Sequence, residues 1–231
     1  MPLYRREELC VFGTMRLVLA LLLLVIPGCC ETAREVEEVH HPAHVLVQPM
    51  GAVPRVLLDS IAEALRQQHR AKVTIGTAVA LPEQAFTEVR GPRYRADTLI
   101  AWLRDRKPDT VDHILGITAM DISITKYAAD GSIKHPAAKY RDFGIFGLGY
   151  MNGPSCVVST FRFGHDDDPH FFDRLCKVTV HELGHNRGLP HCSDPYCVMR
   201  DAVERMNSID SAGRSFCRRC ARTIGVGVPQ P

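Results

Sequence analysis

Residues 181–192 read HELGHNRGLPHC, and this stretch decides both the fold and the chemistry that we expect. His181 and His185 are four residues apart, which places them one turn apart on the same face of an α-helix. Two neutral imidazoles in that arrangement can reach a single cation, and imidazole nitrogen suits Zn²⁺. Gly188 can end the helix and reverse the chain. His191 then returns a third imidazole from outside the helix.

Glu182 follows the first histidine directly, so its carboxylate can approach the same site without binding the metal. That is the position of a general base in zinc hydrolases. Three protein nitrogens leave a fourth position open for a water molecule, as in catalytic rather than structural zinc sites. A buried helix with two hydrogen-bonded histidines is the competing interpretation. It accounts for a bare H-E-x-x-H motif, but not for the added Gly188 and His191.

Four cysteines follow at once, in two short pairs: Cys192 and Cys197, then Cys217 and Cys220. Two such pairs across a loop are typical of a closed Cys₄ zinc site. Two disulfides are the alternative, since an exported chain meets oxidising conditions. We favour a structural zinc ion because each pair is spaced as a metal knuckle. The sequence thus predicts two zinc ions per chain, one catalytic and one structural.

The N-terminus has the features of an export signal. Arg16 precedes ten apolar residues, 17–26, and a Pro-Gly-Cys-Cys sequence follows. We interpret residues 1–28 as a signal peptide and residues 29–43 as a charged tether. The segment before Cys29 also resembles a lipobox, which makes Cys29 a candidate lipidation site. Met15 is an alternative start, and an apolar helix packed on the domain is the alternative to a signal.

The remaining residues, 44–231, are expected to form one mixed α/β domain. The chain has 231 residues and a formal net charge of +2, which argues against a broad nucleic-acid-binding surface. Period-two and apolar patterns predict strands over residues 44–47, 72–79, 113–118, 121–124, 143–149 and 156–163. Helices are predicted from Pro54, over residues 95–104 and from Pro169. The strands joined locally at the end of this series predict a mixed sheet.

The signature from His181 to Cys220 resembles that of the archaemetzincins, zinc metallopeptidases of the metzincin clan. Residues 94–97, 115–118 and 157–162 also resemble segments of that family. The resemblance implies a compact metzincin-like domain, with the active-site helix backing a twisted mixed sheet. It implies a Met-turn at Met199 beneath the three imidazoles. It also implies a catalytic zinc on His181, His185 and His191, Glu182 as general base, and a structural zinc on Cys192, Cys197, Cys217 and Cys220.

The expected function is hydrolysis of peptide bonds by a zinc-held water that Glu182 activates. Two alternatives remain: a membrane-tethered zinc-binding module with vestigial activity, and a zinc hydrolase that acts on non-peptide amides. The expected partner is a peptide or protein substrate, with membrane attachment through an N-terminal lipid and a monomer as the default state. The leader predicts an extracytoplasmic location, with a cytoplasmic one as the alternative.

Overall fold

The computed structural model describes residues 41–165, 167–201 and 205–227. The predicted signal peptide, Cys29 and most of the predicted tether lie outside these residues. Within the described part of the chain, no helix is long and apolar enough to cross a bilayer.

The described residues form nine strands and six α-helices. The strands are β1 (His44–Met50), β2 (Lys72–Ile75), β3 (Phe86–Thr87), β4 (Arg93–Arg95), β5 (His113–Thr118), β6 (Ile122–Ile124), β7 (Phe143–Ile145), β8 (Gly147–Gly149) and β9 (Ser155–Ser159). The helices are α1 (Arg55–His69), α2 (Ala96–Arg104), α3 (Ala137–Tyr140), α4 (Phe171–Asn186), α5 (Met206–Ser211) and α6 (Arg218–Thr223). The mixed α/β fold class predicted from the sequence is confirmed.

The larger sheet has the strand order β2-β1-β5-β9-β8. The first four strands are parallel, whereas β8 runs antiparallel to β9 and forms one edge. Parallel neighbours need crossover connections, and α1 supplies one between β1 and β2. The antiparallel β8 follows from the local connection to β9, which turns through Asn152 with a left-handed φ of 56°.

A second sheet, with the order β3-β4-β6-β7, was not predicted from the sequence. Residues 143–149, predicted as one strand, divide at Phe146 because β7 pairs with β6 and β8 pairs with β9. The Phe146 ring leaves the strand and stacks on Phe163, with ring centroids 5.4 Å apart. The apolar run over residues 143–149 therefore contributes one strand to each of the two sheets.

Helix α4 lies in the core and carries the histidine motif. Its side chains Leu175, Val180 and Leu183 are almost fully buried among residues of α1 and the larger sheet. Burial of these apolar side chains on several sides of the helix holds it rigidly. The fold therefore presents the motif on a fixed support.

The Arg187 side chain, just after the end of α4, joins α1 to the C-terminal segment. The Arg187 guanidinium donates to the carbonyl oxygens of His69, at 2.8 Å, and Ile224, at 2.7 Å. The His69 ring lies 3.0 Å from the Val180 carbonyl through Nε2 and 3.3 Å from Arg187 through Nδ1. Since a carbonyl oxygen only accepts, Nε2 carries the proton. Nδ1 accepts from the Arg187 guanidinium, so the ring is neutral.

The buried His69 ring makes the free energy of unfolding depend on pH. Burial, reinforced by Arg187, lowers the pKa of His69 to about 3 from an ordinary value of 6.5. Between pH 6.5 and 3 the unfolded chain binds more protons than the folded one, so stability falls as the pH falls.

His69→Gln keeps a donor and an acceptor without a titrating ring, and its unfolding free energy should decline less steeply between pH 7 and 5. Urea unfolding at several pH values measures this, with the exposed His165→Gln as control. Equal slopes in all three proteins would contradict the assignment.

Candidate active site

Three imidazoles converge at the end of α4 and the following turn. One ligand atom from each of His181, His185 and His191 lies within 4.8 Å of the others. Two rings are oriented by backbone carbonyls: His181 Nδ1 lies 2.8 Å from the Val198 oxygen, and His185 Nδ1 lies 2.8 Å from the Leu189 oxygen. Nδ1 therefore carries the proton in both rings, and Nε2 presents a lone pair.

The two Nε2 atoms of His181 and His185 lie 3.0 Å apart. Neither can donate to the other when both rings are protonated at Nδ1 and neutral. Burial lowers the pKa of His181 to about 4 and also lowers the pKa of His185, so the neutral forms prevail near pH 7. Two lone pairs facing each other at this distance repel unless a cation lies between them. The donor set therefore fits Zn²⁺.

The third imidazole lies near a carboxylate rather than a carbonyl. His191 Nδ1 lies 3.7 Å from Asp201 Oδ2, and the His191 side chain is 40% exposed. This separation is longer than a hydrogen bond, so Asp201 is a neighbouring charge rather than a bonded partner of the ring. Sequence reasoning did not anticipate Asp201, although its position two residues after Met199 was a usable signal.

Glu182 lies beside the imidazoles and is buried. Burial raises the pKa of its carboxyl to about 8, and a hydrogen bond from the Gly149 N–H opposes that rise. A cation on the neighbouring imidazoles would favour the ionised form. A Cβ atom at Gly147 would lie 2.7 Å from Glu182 Cγ, so only glycine allows β8 to approach the carboxylate this closely. Sequence reasoning missed this role of the β8 glycines.

The turn after α4 and the buried Met199 side chain fix the backbone that carries the histidines. Gly188 has a left-handed φ of 86°, and the Leu189 N–H donates to the Gly184 carbonyl at 2.9 Å. This arrangement ends the helix and sends the chain back towards His191. Met199 is fully buried, and its thioether packs against Gly184 between the two helical histidines.

The four cysteines form a second cluster, with their sulfur atoms within 4.8 Å of one another. All four are free thiols, and Cys192 Sγ lies 3.7 Å from Cys217 Sγ. A disulfide would need about 2.05 Å, whereas a tetrahedron with zinc–sulfur bonds of about 2.3 Å has an edge near 3.8 Å. Although burial opposes it, hydrogen bonds from the Asp194 backbone and Arg219 lower the pKa of Cys192 to about 7. The donor set fits a structural zinc ion.

This cysteine cluster is joined directly to the histidine cluster. Cys192 follows His191 in the chain, and its N–H donates to the Met199 carbonyl at 2.8 Å. The Val198 N–H donates to the Ser215 carbonyl at 2.9 Å, which holds the segment before Met199 to the second cysteine pair. The backbone of the cysteine cluster is therefore bonded to the segment that carries Met199 and adjoins His191.

Comparison with known proteins identifies the family. Residues 57–225 match peptidase family M54. The chain belongs to this family. Among M54 relatives, the archaemetzincin of Haloquadratum walsbyi is 30% identical over 187 residues, which cover 77% of this chain and 97% of that protein. The archaemetzincin of Methanopyrus kandleri is 35% identical over 144 residues, which cover 62% and 72%.

Solved structures of archaemetzincins support the same assignment. The crystal structure of the Methanopyrus kandleri archaemetzincin matches with a TM-score of 0.63 and 30% identity, over 82% of this chain and 97% of that one. The Archaeoglobus fulgidus archaemetzincin, complexed with malonate, matches with a TM-score of 0.59 and 27% identity, over 78% and 99%. The resemblance to the archaemetzincins is confirmed, and the protein is a zinc metallopeptidase.

Proposed function

We propose that the protein hydrolyses peptide bonds, with His181, His185 and His191 holding the catalytic zinc and Glu182 acting as general base. When bound, zinc supplies Lewis-acid activation of the carbonyl oxygen and of water. Glu182 takes the proton from the attacking water and passes it to the departing amine. The observation that carries the proposal is the buried Glu182 carboxylate, which lines the same pocket as His181, one of the three converging imidazoles.

We further propose that the substrate lies in extended form along β8. This strand ends the larger sheet, and the Ser159 N–H bonds to the Phe146 carbonyl. In an antiparallel ladder, bonded and non-bonded residues alternate. Gly147 and Gly149 therefore turn their backbone groups away from β9, and of these the Gly149 N–H already donates to Glu182. An edge of this kind can pair with a peptide through its main chain.

The proposal includes a second, structural zinc on Cys192, Cys197, Cys217 and Cys220. Support comes from the four free thiols and from the sulfur–sulfur distance, which suits a tetrahedral metal site better than a disulfide.

A peptide-library digest with zinc-loaded protein tests the function, using mass spectrometry to identify cleaved bonds and a panel of non-peptide amides in parallel. We expect cleavage of peptide bonds and two zinc ions per chain. Cleavage of non-peptide amides alone would favour the alternative of a zinc hydrolase that acts on non-peptide amides. Two bound zinc ions with no cleavage of either class would favour a zinc-binding module.

We also propose export through residues 1–28, with Cys29 as the lipidated first residue of the mature chain. Support comes from Arg16, the apolar run over residues 17–26 and the cysteine at position 29. The mass of the mature N-terminus in the native host tests the proposal. A lipid-modified Cys29 is the expected result, and an unmodified Met1 or Met15 would contradict it.

A further inference from the structure

The edge strand β8, the proposed site of substrate pairing, is weak by composition. It has three residues, and two of them, Gly147 and Gly149, are glycines. Glycine loses more backbone freedom on folding than any other residue, so a strand of this composition needs support from its surroundings. At its far end α4 supplies that support, because Asn186 Nδ2 donates to the Tyr150 carbonyl at 3.0 Å. The near end, which is separated from β7 by Phe146 alone, needs a support of its own.

The turn after β9 contacts the chain at this near end in three ways. The Ser159 N–H donates to the Phe146 carbonyl at 2.8 Å, and the Phe163 ring stacks on the Phe146 ring. The Arg162 guanidinium lies against the backbone of Gly144 in β7, where a Cβ atom would overlap it. The absence of a side chain at Gly144 therefore leaves the space that the guanidinium occupies. All three contacts fall just before the first residue of β8.

Arg162 is itself fixed by a buried carboxylate. Its Nε and Nη2 donate to the two oxygens of Asp121, at 2.7 Å each, and the Asp121 side chain is only 4% exposed. A two-point contact of this kind fixes orientation as well as distance. Asp121 directly precedes β6, and its carbonyl accepts from the Tyr94 N–H at 2.9 Å. Arg162 therefore joins the turn after β9, in the larger sheet, to β6 and β7 in the second sheet.

A second arginine shares the same carboxylate. Arg93 Nη2 lies 3.1 Å from Asp121 Oδ2, and Arg93 Nη1 lies 3.4 Å from Asp142 Oδ2. Asp142 also accepts from the Ser123 hydroxyl. A buried carboxylate that loses its only cation is strongly destabilising. Because Asp121 keeps Arg93 when Arg162 is changed, we expect variants at Arg162 to fold.

We propose that Arg162 is a positioning residue for substrate binding, which holds the start of β8 in place through its contact with Gly144. The inference rests on the proposed function, because that function assigns peptide pairing to β8. A displaced β8 would lose main-chain hydrogen bonds to the peptide both before and during the reaction. A loss shared by the ground state and the transition state raises KM and leaves kcat unchanged. Neither the proposed metal sites nor the general base accounts for this contact.

Steady-state kinetics on one cleaved peptide, with zinc analysis of each variant, test the inference. Arg162→Met keeps the aliphatic stem but loses the two-point contact. Its KM should rise about tenfold, roughly the loss of one main-chain hydrogen bond, while kcat and zinc content stay at the wild-type values. Arg162→Lys keeps the charge without the planar fork, so it should recover part of the loss in KM. Arg66→Met, a change at an exposed arginine of α1, is the matched control and should leave KM unchanged.

Gly144→Ala displaces the Arg162 guanidinium without removing any charge, so it should raise KM by a similar factor. Gly227→Ala is its matched control, because a Cβ atom there meets no other atom within 4 Å. The double variant Gly144→Ala/Arg162→Met should have the same KM as Arg162→Met, since both changes break one contact.

The outcomes separate a positioning role from a structural one and from failure of the proposed function. A lower melting temperature with unchanged KM in Arg162→Met and Gly144→Ala would overturn the inference, because the contact would then only stabilise the fold. A fall in kcat at constant KM, or additive effects in the double variant, would overturn it as well. If Arg162→Met does not fold, Gly144→Ala decides. Absence of peptide cleavage by the wild-type protein would instead contradict the proposed function, on which the inference rests.

Discussion

Glu182→Gln should lower peptide hydrolysis at least a hundredfold, within the range of about 10²–10⁴ typical for loss of a general base. Glutamine keeps the size of the side chain and can still accept from the Gly149 N–H, but it cannot take a proton from water. The close approach of Gly147 to the side chain leaves room for an isosteric residue and little else. The protein should therefore fold and keep its catalytic zinc.

Steady-state kinetics on one cleaved peptide, together with metal analysis, measure this prediction. Glu63→Gln is the matched control, since Glu63 is exposed on α1 and should leave both readouts unchanged. His185→Ala should differ from Glu182→Gln by losing zinc as well as activity, because it removes a ligand. Wild-type turnover in Glu182→Gln would show that another group activates the water.

Loss of a cysteine ligand should have the second large effect, this time on stability. Cys217→Ser should bind one zinc ion instead of two and melt about 5–10 °C lower, which corresponds to a few kcal/mol for a domain of this size. The physical reason is that metal binding at a closed site contributes directly to folding. Because Cys192 adjoins His191, activity should fall as well. Cys176→Ser, a change of a free thiol on α4, is the control.

The two proposed metal sites should also differ in their response to a chelator. The His191 side chain is 40% exposed, so a mild chelator should remove the catalytic zinc and abolish activity reversibly. Cys192 and Cys197 are buried, and their zinc should remain until the C-terminal segment opens. Metal analysis and a thiol count after denaturation check both claims. One zinc ion with no free thiols among the four cysteines would support the disulfide alternative instead.

Much of the catalytic chemistry was predictable because it depends on local spacing. The interval between His181 and His185 is one helical turn in any helix, so their shared face follows from the sequence alone. The position of Glu182 beside the first histidine follows in the same way. The paired cysteine spacings and the strand and helix patterns are local signals too, and the mixed α/β class predicted from them is confirmed.

The features that sequence reasoning missed depend on contacts between distant residues. The division of residues 143–149 between two sheets is decided by their partners β6 and β9, which periodicity within the run does not reveal. Asp201 faces His191 only after the chain has turned through Met199. Arg174 and Lys177 are charged but buried on α4, where they donate to Asp210 and to the Ile209 carbonyl.

The sequence by itself therefore determined the fold class and the family, and it predicted the proposed donor residues and general base, because covalent spacing and helical geometry set these over a few residues. Tertiary structure decided which edge strand faces Glu182, which backbone carbonyls orient His181 and His185, and which acceptors surround the Lys177 ammonium. Those features come from side chains brought together across tens of residues, such as Arg187 on His69 and Lys177 on Ile209. Their pairing depends on how whole elements pack, and packing is a property of the folded chain rather than of any one segment.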